Sequence, residues 1–198
     1  MKKPLTPVRA QKKHRNRNAL IEAGNRRFHQ FGYESTTIDD ICADAGISRR
    51  SFFRYFPSKE ALAFPQRAER LAHFRALLRG NPTESPFATL RRIAKQFADA
   101  YTAHRESLIA QQELIQTSPA LLATEHDIDR EWEEALEEEF LLRLGDVSDA
   151  ALRAKVTAGA LIGVIRATLR YWFDQGGEPD LARLGAAAID ALERGFIR

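Results

Sequence analysis

From about residue 15 almost to the C terminus, apolar residues recur at three- and four-residue intervals with polar residues between them, the pattern of amphipathic helices. Leu20, Gly24, Phe28 and Phe31 predict a buried stripe on a first helix over about 15–31. Gly32 closes it, because glycine takes the left-handed residue after a helix without a Cβ penalty. Thr37 with Asp40 three residues on predicts a capping-box start, where acidic side chains also suit the helix dipole. Ile38, Ile41 and Ala45 mark the inner face of that second helix, and Gly46 ends it. Ser48 can then cap a third helix from Arg49 to about Tyr55, which Pro57-Ser58 closes while capping the next. Further helices are expected near 59–79, 86–103, 106–117, 120–144, 149–175 and 180–196, with a turn signal at each break. No segment alternates as a strand would, and no repeat of fixed period appears. The fold class is all-α.

Pro65 interrupts the 59–79 pattern. It has no N–H to offer the carbonyl of Ala61 and its ring pushes against that group. The helix should bend there, or divide into a short piece that stays with the preceding helices and a longer one carrying Leu71, Phe74 and Leu78.

The 198 residues are 44% apolar and 29% charged, enough for a core without metal or disulfide staples. Cys42, the one cysteine, reads as a small core hydrophobe. The polar, basic N-terminal segment has no apolar leader, and the longest apolar run, Ala158 to Ile165, falls far short of a bilayer span. A cytoplasmic protein with no membrane partner is the expectation. The net charge of +3 is unevenly spread: residues 1–60 carry +7 and the rest −4. Seven basic residues precede the first acidic one, Glu22. A basic head on a mildly acidic body suggests a polyanion-binding module joined to a domain with another task. Residues 1–14, with Pro4 and Pro7, read as a mobile basic arm, 15–60 as the head and 61–198 as the body.

Two short helices joined by a Gly-containing turn form the helix-turn-helix layout, whose second helix fits the DNA major groove. Arg49, Arg50 and Ser51 stand in its first turn. Arginine can grip guanine O6 and N7 bidentately, serine can donate or accept at several base edges, and Phe53 can touch a thymine methyl or a sugar. Thr37, Ser48, Tyr55 and Lys59 are placed for phosphates. Phe52 and Phe56, four apart, read as core rather than stacking platforms.

The run Ser48-Arg49-Arg50-Ser51-Phe52-Phe53-Arg54-Tyr55-Phe56-Pro57-Ser58-Lys59-Glu60-Ala61-Leu62 closely resembles the signature of TetR-family transcriptional regulators. Gly32-Tyr33, the Thr37–Ile41 segment and Gly46-Ile47-Ser48 share the resemblance, which covers roughly residues 15–62. It implies a three-helix DNA-binding head and a larger helical regulatory domain. It further implies a homodimer, joined by a bundle of the last two helices, that acts on a pseudo-palindromic operator as a ligand-released repressor. The family motif usually has a backbone-contacting tyrosine where this chain has Phe53, so one hydroxyl contact is missing. Tyr55 stands where the family often has a backbone-contacting Tyr or His.

In the body, the 149–175 segment is apolar nearly all round, as for a helix buried on more than one side. Leu181, Leu184, Ala188, Leu192 and Phe196 stripe the last helix. Arg166 and Arg170 share a face and need acidic partners if buried: the acidic helix, the dimer mate or an anionic effector. Phe97, Tyr101, Trp132 and Trp172 are candidates to line an effector cavity, with ordinary core packing as the competing reading. The glutamate run 131–139 reads as a solvated face, and His126, Asp127 and Asp129 are spaced wrongly for a metal site. No cofactor and no catalytic residue is expected, since no HExxH, GxSxG, Walker A or paired CxxC is present. A helical enzyme or carrier with an idle basic head, and an activator without an effector, are the rival readings.

Overall fold

The computed structural model describes residues 7–80 and 83–195. Among them are ten helices and no strand: α1 (Pro7–Phe31), α2 (Ile38–Ala45), α3 (Arg49–Phe52), α4 (Lys59–Ala63), α5 (Arg67–Arg79), α6 (Pro86–Ala103), α7 (Arg105–Gln116), α8 (Pro119–Leu144), α9 (Ala150–Asp174) and α10 (Leu181–Arg194). Most lie within two residues of the boundaries that periodicity and caps predict.

Two features differ from these expectations, and Pro65 takes one of its two expected courses. The expected mobile arm is helical from Pro7 onward, because proline is tolerated in a first turn and the Lys, Arg and Gln that follow are good helix formers. The part of that arm over residues 1–6, and Phe196 in the last helix, lie outside the described residues. The 59–79 helix divides around Pro65 into α4 and α5, one of the two outcomes its chemistry allows. The third helix is shorter than expected. After Phe52 the chain continues as hydrogen-bonded turns, with Arg54 N–H donating to Ser51 O and Tyr55 N–H to Phe52 O. These are three-residue spacings that tighten a helix end.

The chain forms two compact units. The first comprises the chain up to Arg67 together with Glu113–Thr124; the second comprises Ala68–Gln112 and the chain from Glu125 on. The first has one core, in which Leu20 and Phe28 of α1 meet Ile41, Phe52, Phe56 and Leu62. Ile115 at the end of α7 and Leu121 at the start of α8 are buried in the same core. Gly24 lets α4 approach α1: a Cβ there would lie 2.5 Å from Leu62 Cδ2. Phe31, expected inside, is exposed. It is the last residue of α1, and Tyr33 beyond the turn takes the buried place, 5.2 Å from the Phe28 ring. Cys42 is buried, and burial pushes its thiol pKa up, as for a packed rather than a reactive cysteine.

In the second unit Phe74 and Leu78 of α5 pack with Leu90 and Ile93 of α6, Leu136 and Phe140 of α8, Leu161 and Ile162 of α9, and Ile189 of α10. The carbonyls that end α5 are closed by side chains: Arg143 donates to Leu78 O at 3.0 Å and Arg92 to Leu77 O at 3.3 Å. α10 lies against α6, where Arg91 pairs with Asp190 at 2.7 Å and with Glu193. One face of α9 stays open: Leu152, Val156 and Tyr171 are exposed, and a Cβ on Gly163 would meet nothing. No helix among the described residues is long and apolar enough to cross a membrane.

Candidate nucleic-acid interface

The head presents α3 on a scaffold that every local rule supports. Thr37 and Asp40 form the reciprocal capping box: Asp40 N–H donates to Thr37 Oγ1 at 3.1 Å, and Thr37 N–H to Asp40 Oδ2 at 3.0 Å. Gly46 takes φ +65°, so its N–H and that of Ile47 turn back onto the carbonyls of Ala43 and Cys42. Only two residues then separate α2 from Ser48, whose Oγ accepts from Ser51 N–H and starts α3. Arg27 of α1 forks onto Asp44 of α2 at 2.6 and 2.7 Å, a bidentate clamp that fixes α2 against α1.

The residues read as base contacts are together on the outside of α3. Arg49 and Arg50 are exposed, Ser51 is half-buried, and Phe53 is exposed with its ring edge-on to Phe52. Arg50 has no side-chain partner among the described residues. Arg49 does: its Nη1 donates to Asp39 Oδ2 at 2.8 Å, and its guanidinium lies 5.7 Å from the Phe53 ring centroid. Arg54, a further exposed cation on this edge, was not singled out by sequence reasoning, although its position one turn beyond Arg50 was available as a signal.

The residues read as phosphate contacts are differently placed. The Thr37 hydroxyl is engaged with Asp40, to whose carboxylate it donates at 2.6 Å, and Ser48 Oγ with its cap. Lys59 turns inward, donating to the carbonyls of Tyr33 at 2.8 Å and Thr36 at 2.9 Å over the Tyr33 ring. Two of its three N–H donors are thus spent on the loop after α1. The reason is geometric: α4 starts beside that loop, whose carbonyls have no helical partner. Tyr55 is half-buried against the head core. Tyr33 itself donates to Glu60 at 2.6 Å, and burial, with this hydrogen bond second, pushes its pKa far up.

The six candidate effector residues do not form one constellation. Phe97 and Trp132 join Phe74, with Trp132 stacked on Phe74 at 4.4 Å and Phe97 edge-on to Trp132 at 5.3 Å. Tyr101 and Trp172 form a second pair at 6.4 Å; Trp172 is fully buried and donates to Pro179 O at 2.9 Å. Tyr101 accepts from Arg70. Arg166 and Arg170 are exposed on α9 rather than buried, because their face of the helix turns away from the unit's core. Arg166 pairs with Asp129 of the acidic helix α8 at 3.3 Å. A cleft of about 610 Å³ lies where the end of α6 meets the α9–α10 turn, lined by Asp99, Arg105 and Glu178 among others, and none of the six borders it. Among the described residues no three His, Cys, Asp or Glu side chains gather as a metal site.

A capped helix pair packed on α1, with cations exposed along the second helix and a separate helical body, defines a helix-turn-helix DNA-binding regulator. Comparison with known proteins makes the class specific. Residues 20–64 match the model of bacterial regulatory proteins of the tetR family, and residues 84–197 match that of the MftR C-terminal domain. The chain is 27% identical to the HTH-type transcriptional regulator TcmR of Streptomyces glaucescens, covering 94% of this chain and 85% of that one. It is 26% identical to MftR of Mycobacterium tuberculosis, covering 86% of each. Its fold is similar to that of the repressor FadR of Thermus thermophilus, solved with lauroyl-CoA, at a TM-score of 0.60 and 21% identity over 92% of this chain and 95% of that one. The chain belongs to the TetR family of bacterial transcriptional regulators.

Proposed function

We propose that the protein is a homodimeric repressor that grips a pseudo-palindromic operator through α3 and lets go when a small molecule binds its body. The observation that carries the DNA-binding part is the exposed edge of α3, where Arg50 has no side-chain partner among the described residues while the scaffold beneath it is held by caps, clamp and core. An unpaired guanidinium on a fixed helix is poised for guanine O6 and N7. Arg49 and Ser51 share the edge, with Phe53 against a thymine methyl or sugar. Tyr55, the remaining N–H of Lys59 and the first turns of α1, with Lys12, Lys13 and Arg15, supply backbone contacts. Thr37 and Ser48 contribute through the helix starts they hold rather than through free hydroxyls.

The open stripe of α9 supports dimerisation, since Leu152 and Val156 are 63% and 61% exposed in the single chain. A second copy would cover them and set the two α3 helices about 34–36 Å apart, or a multiple of that. A small-molecule effector accords with FadR's acyl-CoA. The half-buried Phe97 and Trp132 are the better candidates to meet a ligand, and the fully enclosed Trp172 supports them from behind. The cytoplasm is where such a regulator meets DNA.

The test is a mobility-shift titration on a duplex selected from a randomised pool. Arg50→Ala should cost about 1–3 kcal/mol on the selected duplex and relax preference at one position per half-site. Equal discrimination between selected and scrambled duplexes in both proteins refutes base reading by α3.

A further inference from the structure

Asp39 stands in the first turn of α2 with its side chain 67% exposed, on the same edge as the cations of α3. It takes no part in the capping box, which Asp40 completes. Its partner is Arg49, itself 56% exposed, at 2.8 Å across the turn. An ion pair this open adds little to stability. The turn it spans is already held by the Gly46 and Ile47 hydrogen bonds, the Arg27–Asp44 clamp and the shared core. The pair's consequence is therefore chemical: it puts a carboxylate beside a guanidinium on the surface offered to a polyanion.

That arrangement matches one ligand edge closely. In the major groove a G·C pair presents two acceptors, guanine N7 and O6, next to one donor, the cytosine N4 amine. A guanidinium satisfies the acceptors and a carboxylate satisfies the donor. A·T offers its donor and acceptors in another order, and phosphate offers acceptors only. We propose that Asp39 and Arg49 act as one reading unit for a single G·C pair in each half-site, Asp39 being a specificity-determining residue. On any other sequence Asp39 keeps Arg49 from swinging to a phosphate and itself repels the backbone. The pair thus raises discrimination at the expense of general affinity. The inference rests on α3 facing DNA, and its test separates the two.

The full-length protein and its Asp39→Ala and Arg49→Ala variants are titrated against the selected duplex, single-position variants of it and a scrambled duplex, at several salt concentrations. Removing Asp39 frees one guanidinium per subunit for a phosphate. Releasing one counterion corresponds to a slope of about 0.9 in log K against log salt, or about eightfold at 0.1 M salt. Asp39→Ala should therefore bind the scrambled duplex about eightfold tighter per subunit, with a slope steeper by about 0.9. Its preference for G·C at one symmetric position should fall at least fivefold, on the order expected for losing part of a bidentate contact. Arg49→Ala should lose preference at the same position with no gain on scrambled DNA. An Asp39→Ala protein whose scrambled-duplex affinity, slope and base preference match the parent overturns the proposal, provided Arg50→Ala still loses discrimination. If Arg50→Ala also behaves as the parent, the placement of α3 on DNA fails and this proposal falls with it.

Discussion

Replacing Ser118 by alanine removes two interactions at once from the junction of α7 and α8. Ser118 is buried at 1% exposure, and its hydroxyl donates to Glu34 Oε1 at 2.6 Å while accepting from Leu121 N–H at 3.4 Å. The second is an N-cap, whose loss costs about 1 kcal/mol. The first is a hydrogen bond to a charged group, worth about 1.5–3 kcal/mol, taken at the low end because Glu34 is exposed and rehydrates when its partner goes. At 3.4 Å the cap is long, so a joint loss of about 2 kcal/mol is expected. For a chain of this size that is about 4–8 °C in Tm. Urea unfolding followed by circular dichroism should show the midpoint falling at constant slope, the mark of a change in stability alone. Combining Ser118→Ala with Glu34→Ala then isolates the direct bond, because the pair should be non-additive by about 1 kcal/mol. Additivity to within about 0.3 kcal/mol would refute the bond, and an unchanged Ser118→Ala midpoint would refute the cap as well.

Two other outcomes are expected. Val156→Asp places a charge in the middle of the open α9 stripe and should yield monomers by sedimentation or light scattering, with specific DNA binding lost. A stably dimeric Val156→Asp protein would put the interface elsewhere; Leu192 is a poorer probe because it packs against its own core and its loss would damage the fold. Glu125 is half-buried, and desolvation raises its pKa despite the opposing Gln112, Arg170 and His126, with Asp129 adding to the rise. A carboxyl whose folded pKa lies above its unfolded value favours folding below the unfolded pKa, and that contribution is lost as pH rises through the folded value. Glu125→Gln should therefore melt higher than the parent at neutral pH and lose that advantage as pH falls below the carboxylate range; a constant difference across pH would refute the assignment.

The features legible in sequence were those whose causes are local. The start of α2 is set by Thr37 and Asp40, three residues apart, and the α2–α3 turn by Gly46, which adopts the left-handed backbone in place. Ser85 with Pro86 behind it starts α6 at the expected residue, and Pro65 divides its helix through its own missing N–H. Phe52 and Phe56 fall in the core because helical spacing places them on one side. The illegible features depend on packing between residues far apart in the chain. Ile115 and Leu121 fall within the expected 106–117 and 120–144 helices, and nothing in their spacing tells that they join the core of the first unit rather than that of the second. Ser118 finds Glu34 across 84 residues, and Lys59 finds the carbonyls after α1 across more than twenty.

The same division runs through the exposed edge of α3. Which side chains stand on α3 is a matter of helical phase, so Arg49, Arg50, Ser51 and Phe53 could be placed from sequence. Which of them is already engaged depends on the distance between the first turns of α2 and α3, fixed by Gly46, the Arg27–Asp44 clamp and the core beneath. That distance brings Asp39 to Arg49 and leaves Arg50 without a side-chain partner among the described residues. Two adjacent arginines, indistinguishable by type, spacing and exposure, thereby become chemically different groups. One has no side-chain partner among the described residues, and the other is half of an ion pair, the unit proposed above to read a G·C edge. If α3 reads DNA as proposed, the Arg27–Asp44 clamp, which lies a helix away from that edge, bears on what the head discriminates.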